Sequence, residues 1–157
     1  MLKLCNYRFI KEKPTKKEEK RSVLIMTEDR LYSKEHEWIL PLGEDVVRVG
    51  ITDYAVKQLG DVVYVEVPEV DAEVSVGSEM GTVESIKSAS EIFAPVTGII
   101  LAVNEELEDA PELVNASPFE GGWFAEIQLE NPVELEGLLN EENYHAYVAE
   151  LAIEEEA

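Results

Sequence analysis

The sequence predicts a mainly β domain, a flattened barrel or sandwich, with short helices and a helical C-terminal segment. Three observations predict it. Short Val- and Ile-rich runs between Leu31 and Leu129 are broken by Gly, Pro and acidic turns. Two similar β-units meet at one lysine, Lys87: "DVVYVEV" and "VSVGSEMGTVES" precede it, and "EIFAP", "TGIILAV" and "LVNAS" follow, each unit with its own acidic turn. From Asn131 onward the apolar spacing becomes helical.

Each element has a local reason. "EWILPLGEDVVRVGIT" reads as a hairpin with "PLGED" as its turn. "TDYAVKQLG" reads as a short helix that Thr52 or Asp53 caps and Gly60 ends in a left-handed conformation. "DVVYVEVPEV" is a strand with Val63, Val65 and Val67 on one face. "AEVSVGSEMGTVESI" gives two strands separated by Gly77, and "SEIFAPVTGIILAVNEEL" gives two more, broken at Ala94-Pro95 because proline cannot donate to a ladder. "GGWFAEIQL" is a further strand. Asn131-Pro132 is a helix start, and Asn140 with Glu141 and Glu142 is a second. Leu138, Leu139, Tyr144, Tyr147, Val148 and Leu151 then form an apolar stripe suited to core packing.

The chain has 157 residues, enough for one domain with a core of its own. Residues 1–26 are lysine-rich and lack glycine; they read as a disordered extension, or as residues ahead of a true start at Met26. Glu12, Glu18 and Glu19 argue against a transit peptide, and "YRFI" is too short for a secretory core. The expected division is therefore a basic zone 1–26, a β domain 27–130, and a helical segment 131–157 packed on it. The net charge is −21, and nine of the 13 Lys and Arg residues lie in the first 30 positions. So acidic a body repels nucleic acid and anionic membranes and suits quick approach to basic surfaces. No run is long and apolar enough for a membrane span. A lone cysteine, Cys5, excludes an intramolecular disulfide and fits a reducing compartment such as the cytoplasm.

Self-contained catalysis has little support. The phosphate loops GxxxxGK[ST] and GxGxxG are missing, and His36 and His145 lie far apart in the chain. No catalytic residue and no metal ligand set is expected; acid clusters such as "NEELED" lack calcium-loop spacing and read as solvated loop. Lys87 stands out instead. It is the only Lys or Arg after Gly60, and small Ser85, Ser88 and Ala89 flank it. The ordinary reading is a surface lysine at a turn. The sharper one is an amine placed to carry a group covalently, since acylation removes its charge and leaves a long arm.

At these residues the chain resembles the H protein family of the glycine cleavage system. "YSKEHEWI", "VGITDYAVKQLGDVVYVEVPEV", "VESIKSASEIFAPVTG", "LVNASPFEGGWF" and the final "LL…Y" helix follow the family's order, over about Arg30 to Val148. The resemblance implies a lipoyl-domain-like barrel-sandwich hybrid. It implies lipoate in amide linkage on Lys87, with Glu84 matching an acid that lipoyl ligases read in similar domains; the bland role of Glu84 is a strand-edge solubiliser. It implies a carrier without turnover, shuttling an aminomethyl group from glycine decarboxylase (P protein) to aminomethyltransferase (T protein) and its dithiol to dihydrolipoyl dehydrogenase (L protein). A lipoyl ligase or transferase would attach the cofactor, and the loaded arm would shelter in a groove of the domain. Two departures stand out: Asp71-Ala72 where the family usually has Gly-Asp, and Phe119 where it usually has tyrosine. Alternative readings are an H-like lipoate carrier for lipoate relay or a lipoate-linked sulfur pathway, and an interaction module with Lys87 unmodified. A biotin carrier fits less well, because Ile86 and Ser88 flank the lysine rather than methionines.

Overall fold

A computed structural model describes residues 30–156. The basic zone 1–26, with its expected disorder and alternative start, lies outside the described residues. Among the described residues nine strands make two antiparallel sheets, one of six strands in the order β1-β2-β3-β9-β8-β5 and one of three in the order β4-β6-β7. Both sheets contribute to one core. Val65, Val83 and Ile92 come from the smaller sheet, and Val47, Val49, Ile100 and Ile127 from the larger.

Strands β1 (Leu31–Tyr32), β2 (Glu37–Gly43) and β3 (Val46–Ile51) open the larger sheet. The expected hairpin turn is narrower than "PLGED". Only Glu44 and Asp45 form it, with φ of 53° and 62°, the sense that matches strand twist in two-residue hairpins. Pro41 lies inside β2 opposite Val47. It is tolerated there because β1 reaches only Trp38 and Ile39 on its other side.

Helix α1 (Asp53–Leu59) starts where Thr52 accepts a hydrogen bond from the Ala55 amide at 3.3 Å. It ends at Gly60, whose φ of 83° and ψ of −154° lie outside the expected left-handed helical region, in a corner reserved for glycine. The following strand β4 (Val62–Glu66) corrects the expected face. A register shift between Val62 and Tyr64 turns Val63 outward, 54% exposed, and buries Val62 with Val65.

Strands β5 (Glu73–Val74), β6 (Glu79–Ser85), β7 (Ala89–Phe93) and β8 (Gly98–Val103) follow the expected breaks at Gly77 and Ala94-Pro95. Asp71 takes a φ of 72° at the substituted turn, so the chain still turns there without glycine. Gly98 is required for closeness rather than conformation: a Cβ there would lie 2.0 Å from the Gln128 carbonyl oxygen.

The β-units diverge after β8. "NEELEDAPE" is not an open turn and "LVNAS" is not a strand. They form helices α2 (Glu106–Asp109) and α3 (Leu113–Ala116), which bury Leu107 and Val114 completely. One apolar residue per short helix fills the core while the acids face out, a solution that strand alternation does not suggest. Strand β9 (Ala125–Leu129) returns between β3 and β8.

A 3-10 helix (Pro132–Gly137) and helix α4 (Glu141–Glu156) complete the described chain. Asn131 and Asn140 cap them as expected, accepting from the amides of Val133 and Asn143. Glu134 fastens the 3-10 helix to the β8 entry, accepting from the Thr97 amide at 2.8 Å and hydroxyl at 2.9 Å. The apolar stripe packs as expected: Tyr144 is buried with Tyr32 and Trp38, and Leu139, Tyr147 and Val148 pack around them.

Candidate functional site

Lys87 stands at the tip of the β6–β7 hairpin, exposed. The turn is held from beneath. The Ser85 amide donates to the Ser88 carbonyl at 2.7 Å, and Ser85 Oγ accepts from the amides of Lys87 and Ser88 at 3.2 and 3.1 Å. Ser85 is therefore buried as a turn anchor, not a small spectator, while Ser88 and Ala89 stay exposed. A further bond at 3.0 Å, from the Ile86 amide to the Asp61 carbonyl, ties the tip to the loop after α1. Among the described residues the Lys87 amine is in no ion pair; the one pair there joins Arg48 to Glu126 at 2.6 Å. A fixed backbone with an unpaired amine leaves the nucleophilic atom free and its origin defined.

Glu84 is half-buried on β6, in register with Tyr64 on β4 and Ala89 on β7. It stands three residues before Lys87, at the strand end that leads into the turn. Ile86, 69% exposed, adds an apolar contact beside the lysine.

A groove of about 620 Å³ begins at the same hairpin. Ser88 to Phe93 form one side; His36, Tyr54, Leu59, Tyr147 and Leu151 are among the other lining residues. At its floor lies Glu37, only 3% exposed. Burial pushes this carboxyl up to about 7, against the opposing hydrogen bond from Ser33. The Ser33 hydroxyl donates to Glu37 Oε1 at 2.5 Å.

Next to it His36 adopts a φ of 70°, unusual for a residue with a side chain. Its ring is fixed by three tyrosines, with centroids 4.7 Å from Tyr54, 5.8 Å from Tyr144 and 5.9 Å from Tyr147. Tyr144 Oη lies 2.7 Å from Thr52 Oγ1 and 2.9 Å from His36 Nδ1. Burial lowers the His36 pKa and raises that of Tyr144 to about 12. A consistent order is Thr52 donating to Tyr144 and Tyr144 donating to a neutral His36. The His36 ring, which lines the groove, is thus held from behind by Tyr144, which does not.

The sequence named Lys87 and Glu84 as candidates, and the resemblance implied a groove without its residues; Glu37 was not named. The available signal for Glu37 was a carboxylate set against Trp38 and Ile39 in a strand, four residues after a serine. Departure Phe119 costs the packing little. The Arg30 guanidinium lies 5.2 Å from its ring and 4.8 Å from that of Trp38, and its carbonyl accepts from Arg30 at 2.9 Å.

Among the described residues no group of His, Cys, Asp and Glu is placed to hold a metal ion, and no helix is long and apolar enough to cross a membrane. A small two-sheet domain with a presented lysine and an adjoining groove defines a carrier class of protein.

Comparison with known proteins gives the particular family. The glycine cleavage H-protein family model matches residues 30–151. The glycine cleavage system H protein of Micrococcus luteus is 54% identical over 119 residues, covering 75% of this chain and 93% of its own. That of a Marinomonas species is 51% identical over 122 residues, 78% of this chain and 96% of its own. A crystal structure of a glycine cleavage system H protein from Mycobacterium marinum superposes with a TM-score of 0.71 at 38% identity, covering 78% of this chain and 98% of that one. This chain belongs to the glycine cleavage H-protein family, the lipoyl carriers of the glycine cleavage system, and has their lipoyl-domain-like barrel-sandwich fold.

Proposed function

We propose that Lys87 carries lipoate in amide linkage and shuttles the aminomethyl group of glycine between enzymes. Glycine decarboxylase loads it, aminomethyltransferase unloads it, and dihydrolipoyl dehydrogenase reoxidises the dithiol. The observation that carries this reading is the exposed Lys87 amine, unpaired among the described residues, on a turn locked by Ser85 and Asp61. The residues fit the group: the amine is open to acylation, and a groove with apolar Leu59, Ile92 and Leu151 in its lining adjoins it.

When bound, the lipoyl group supplies a dithiolane that opens and closes and a sulfur on which the cargo rides. The chain itself supplies position and shelter. Lys87 fixes where the arm begins. The groove takes up its apolar length, at about 25 cal/mol per Å² of apolar surface covered. Glu37, at the floor, offers a carboxylate to a cargo that ends in an amine; an ammonium beside it would draw its proton off and hold the pair. The rings of His36, Tyr54 and Tyr147 in the lining cover one side of the cargo and keep water from it.

In this reading the chain has no turnover of its own. Glu84 is the acid that a lipoyl ligase or transferase reads beside Lys87. The acidic surface brings the carrier quickly to basic clefts on its partners, and small polar contacts let it leave again. The proposal places the carrier in the cytoplasm, away from membrane and nucleic acid. It keeps the division into a basic zone 1–26, a β domain 27–130 and a packed C-terminal segment 131–157.

Intact mass with peptide mapping, on protein purified from its native host, tests the attachment. A lipoyl adduct on Lys87 is expected. An unmodified Lys87 in lipoate-replete cells would overturn the reading and favour an interaction module.

A further inference from the structure

We propose that Gly60 is a positioning residue for the Lys87 arm, and that Asn115 holds it in place for that task. The inference rests on the lipoyl-carrier reading for its purpose, but its geometry is independent of it. A Cβ built on Gly60 would lie 3.0 Å from Lys87 Cε, 3.6 Å from Nζ and 3.9 Å from Cδ. Three consecutive atoms of the lysine stem therefore lie along the bare face of this glycine. The stem does not project freely from the hairpin; it rests on the residue that ends α1.

That resting place is next to the groove. Tyr54, Ala55, Gln58 and Leu59 of α1 line it, and Gly60 follows directly. On the hairpin side Ser88 lines it, directly after Lys87. The stem thus lies between the end of α1 and the hairpin, beside the groove, over a residue that has no side chain. An arm launched along this track starts beside the groove and needs no search to find it, which lowers the entropy cost of sheltering its cargo.

The track is rigid. Gly60 takes a φ of 83° and a ψ of −154°. Asn115, on α3, grips both sides of it: Nδ2 donates to the Gly60 carbonyl at 2.9 Å and Oδ1 accepts from the Val62 amide at 2.9 Å. The Asp61 carbonyl between them accepts from Ile86 of the hairpin at 3.0 Å. One side chain therefore couples α3 to the loop, and the loop to the lysine turn. This gives the "LVN" of α3 a role that neither core packing nor the groove lining requires, since Asn115 is not among the groove residues.

Two measurements on the full chain test this. In the unlipoylated protein, nuclear Overhauser contacts between the Lys87 ε-methylene and the Gly60 α-protons are expected; their absence would overturn the inference whether or not Lys87 is a lipoyl site. In the lipoylated protein, reduced and then loaded with formaldehyde and ammonium, the rate of formaldehyde release reads how well the cargo is sheltered. Gly60→Ala is expected to raise that rate severalfold. Because alanine also strains the backbone there, Asn115→Asp serves as the second variant; it replaces the donor to Gly60 with a carboxylate oxygen that repels the Gly60 carbonyl, and keeps the acceptor for Val62. It too is expected to raise the rate, with a cooperative melt of the unlipoylated protein showing that the variant is folded. Release at the wild-type rate from a folded Asn115→Asp variant that has lost the Lys87–Gly60 contacts would overturn the positioning role. A wild-type chain that takes no lipoate, yet keeps those contacts, would count against the carrier reading and not against the track.

Discussion

The lysine hairpin and the aromatic wall that stands behind the groove lining differ in how each side chain spends its contacts. At the hairpin Ser85 and Asp61 hold the backbone, and Lys87 and Ile86 stay exposed, the Lys87 stem lying against the bare face of Gly60 on that side. At the wall the side chains are fixed as well. Tyr32 stacks on Tyr144 at 4.6 Å, His36 sits among three tyrosines, and Trp38 is fully buried with its indole N–H donating to the Pro118 carbonyl at 2.9 Å. A carrier needs both kinds of region. The arm must leave and return, so its root is anchored and its end is free. The shelter must be the same at every return, so its wall is packed like a core.

Substitutions on the two sides should therefore separate function from stability. The largest effect is on function alone. Lys87→Ala should abolish glycine–bicarbonate exchange in a reconstituted system while leaving the thermal melt unchanged, because an exposed side chain contributes little packing. Normal exchange by that variant would remove the hairpin's claim to the site.

The converse belongs to the wall. Trp38→Ala should lower unfolding free energy by about 3–5 kcal/mol, the usual cost of emptying a large aromatic site. Denaturant titration measures it, and a loss under about 1 kcal/mol would contradict a core-like wall.

Glu37 joins the two regions, and its effect depends on pH. Its carboxyl titrates near 7 in the fold against 4.5 as the reference. The folded chain thus binds the proton more tightly than the unfolded chain. The associated stability is fully present below about pH 4.5 and is lost as pH rises through about 7. Glu37→Gln should flatten that dependence and stabilise the unlipoylated protein at pH 8 by up to about 3 kcal/mol. Melting temperatures of both proteins across pH 5 to about 8 measure it; parallel curves would show that Glu37 does not carry the effect. The same variant should release a loaded cargo faster, since the groove floor loses its carboxylate.

The smallest effect is Tyr144→Phe. It removes the hydroxyl between Thr52 and His36, and should cost about 1 kcal/mol by denaturant titration with lipoylation of Lys87 unaffected. A large loss of lipoylation would mean that the wall and the hairpin are coupled more tightly than their separate contacts suggest.

What the sequence by itself determined was local. Thr52, Asn131 and Asn140 announce their helices, because a cap acts within three residues. Gly77 and Ala94-Pro95 announce strand ends, because backbone geometry there is set by residue type. Lys87 was visible because it is alone in a long acidic stretch, and "VESIKSASEIFAPVTG" carries the family's order.

What only the tertiary structure decided was set by partners distant in sequence. The face of β4 depended on a register shift opposite β6, so Val63 could not be assigned by alternation. "LVNAS" became a helix because Val114 fills a space in the core between sheets, not because its residues prefer one. Gly98 is needed for an approach to Gln128, thirty residues on. Glu37 is an ordinary acid in the sequence. Burial among β7, α1 and the C-terminal helix moves its titration to about 7. Desolvation is a property of the whole surroundings, and no single segment of the chain contains it.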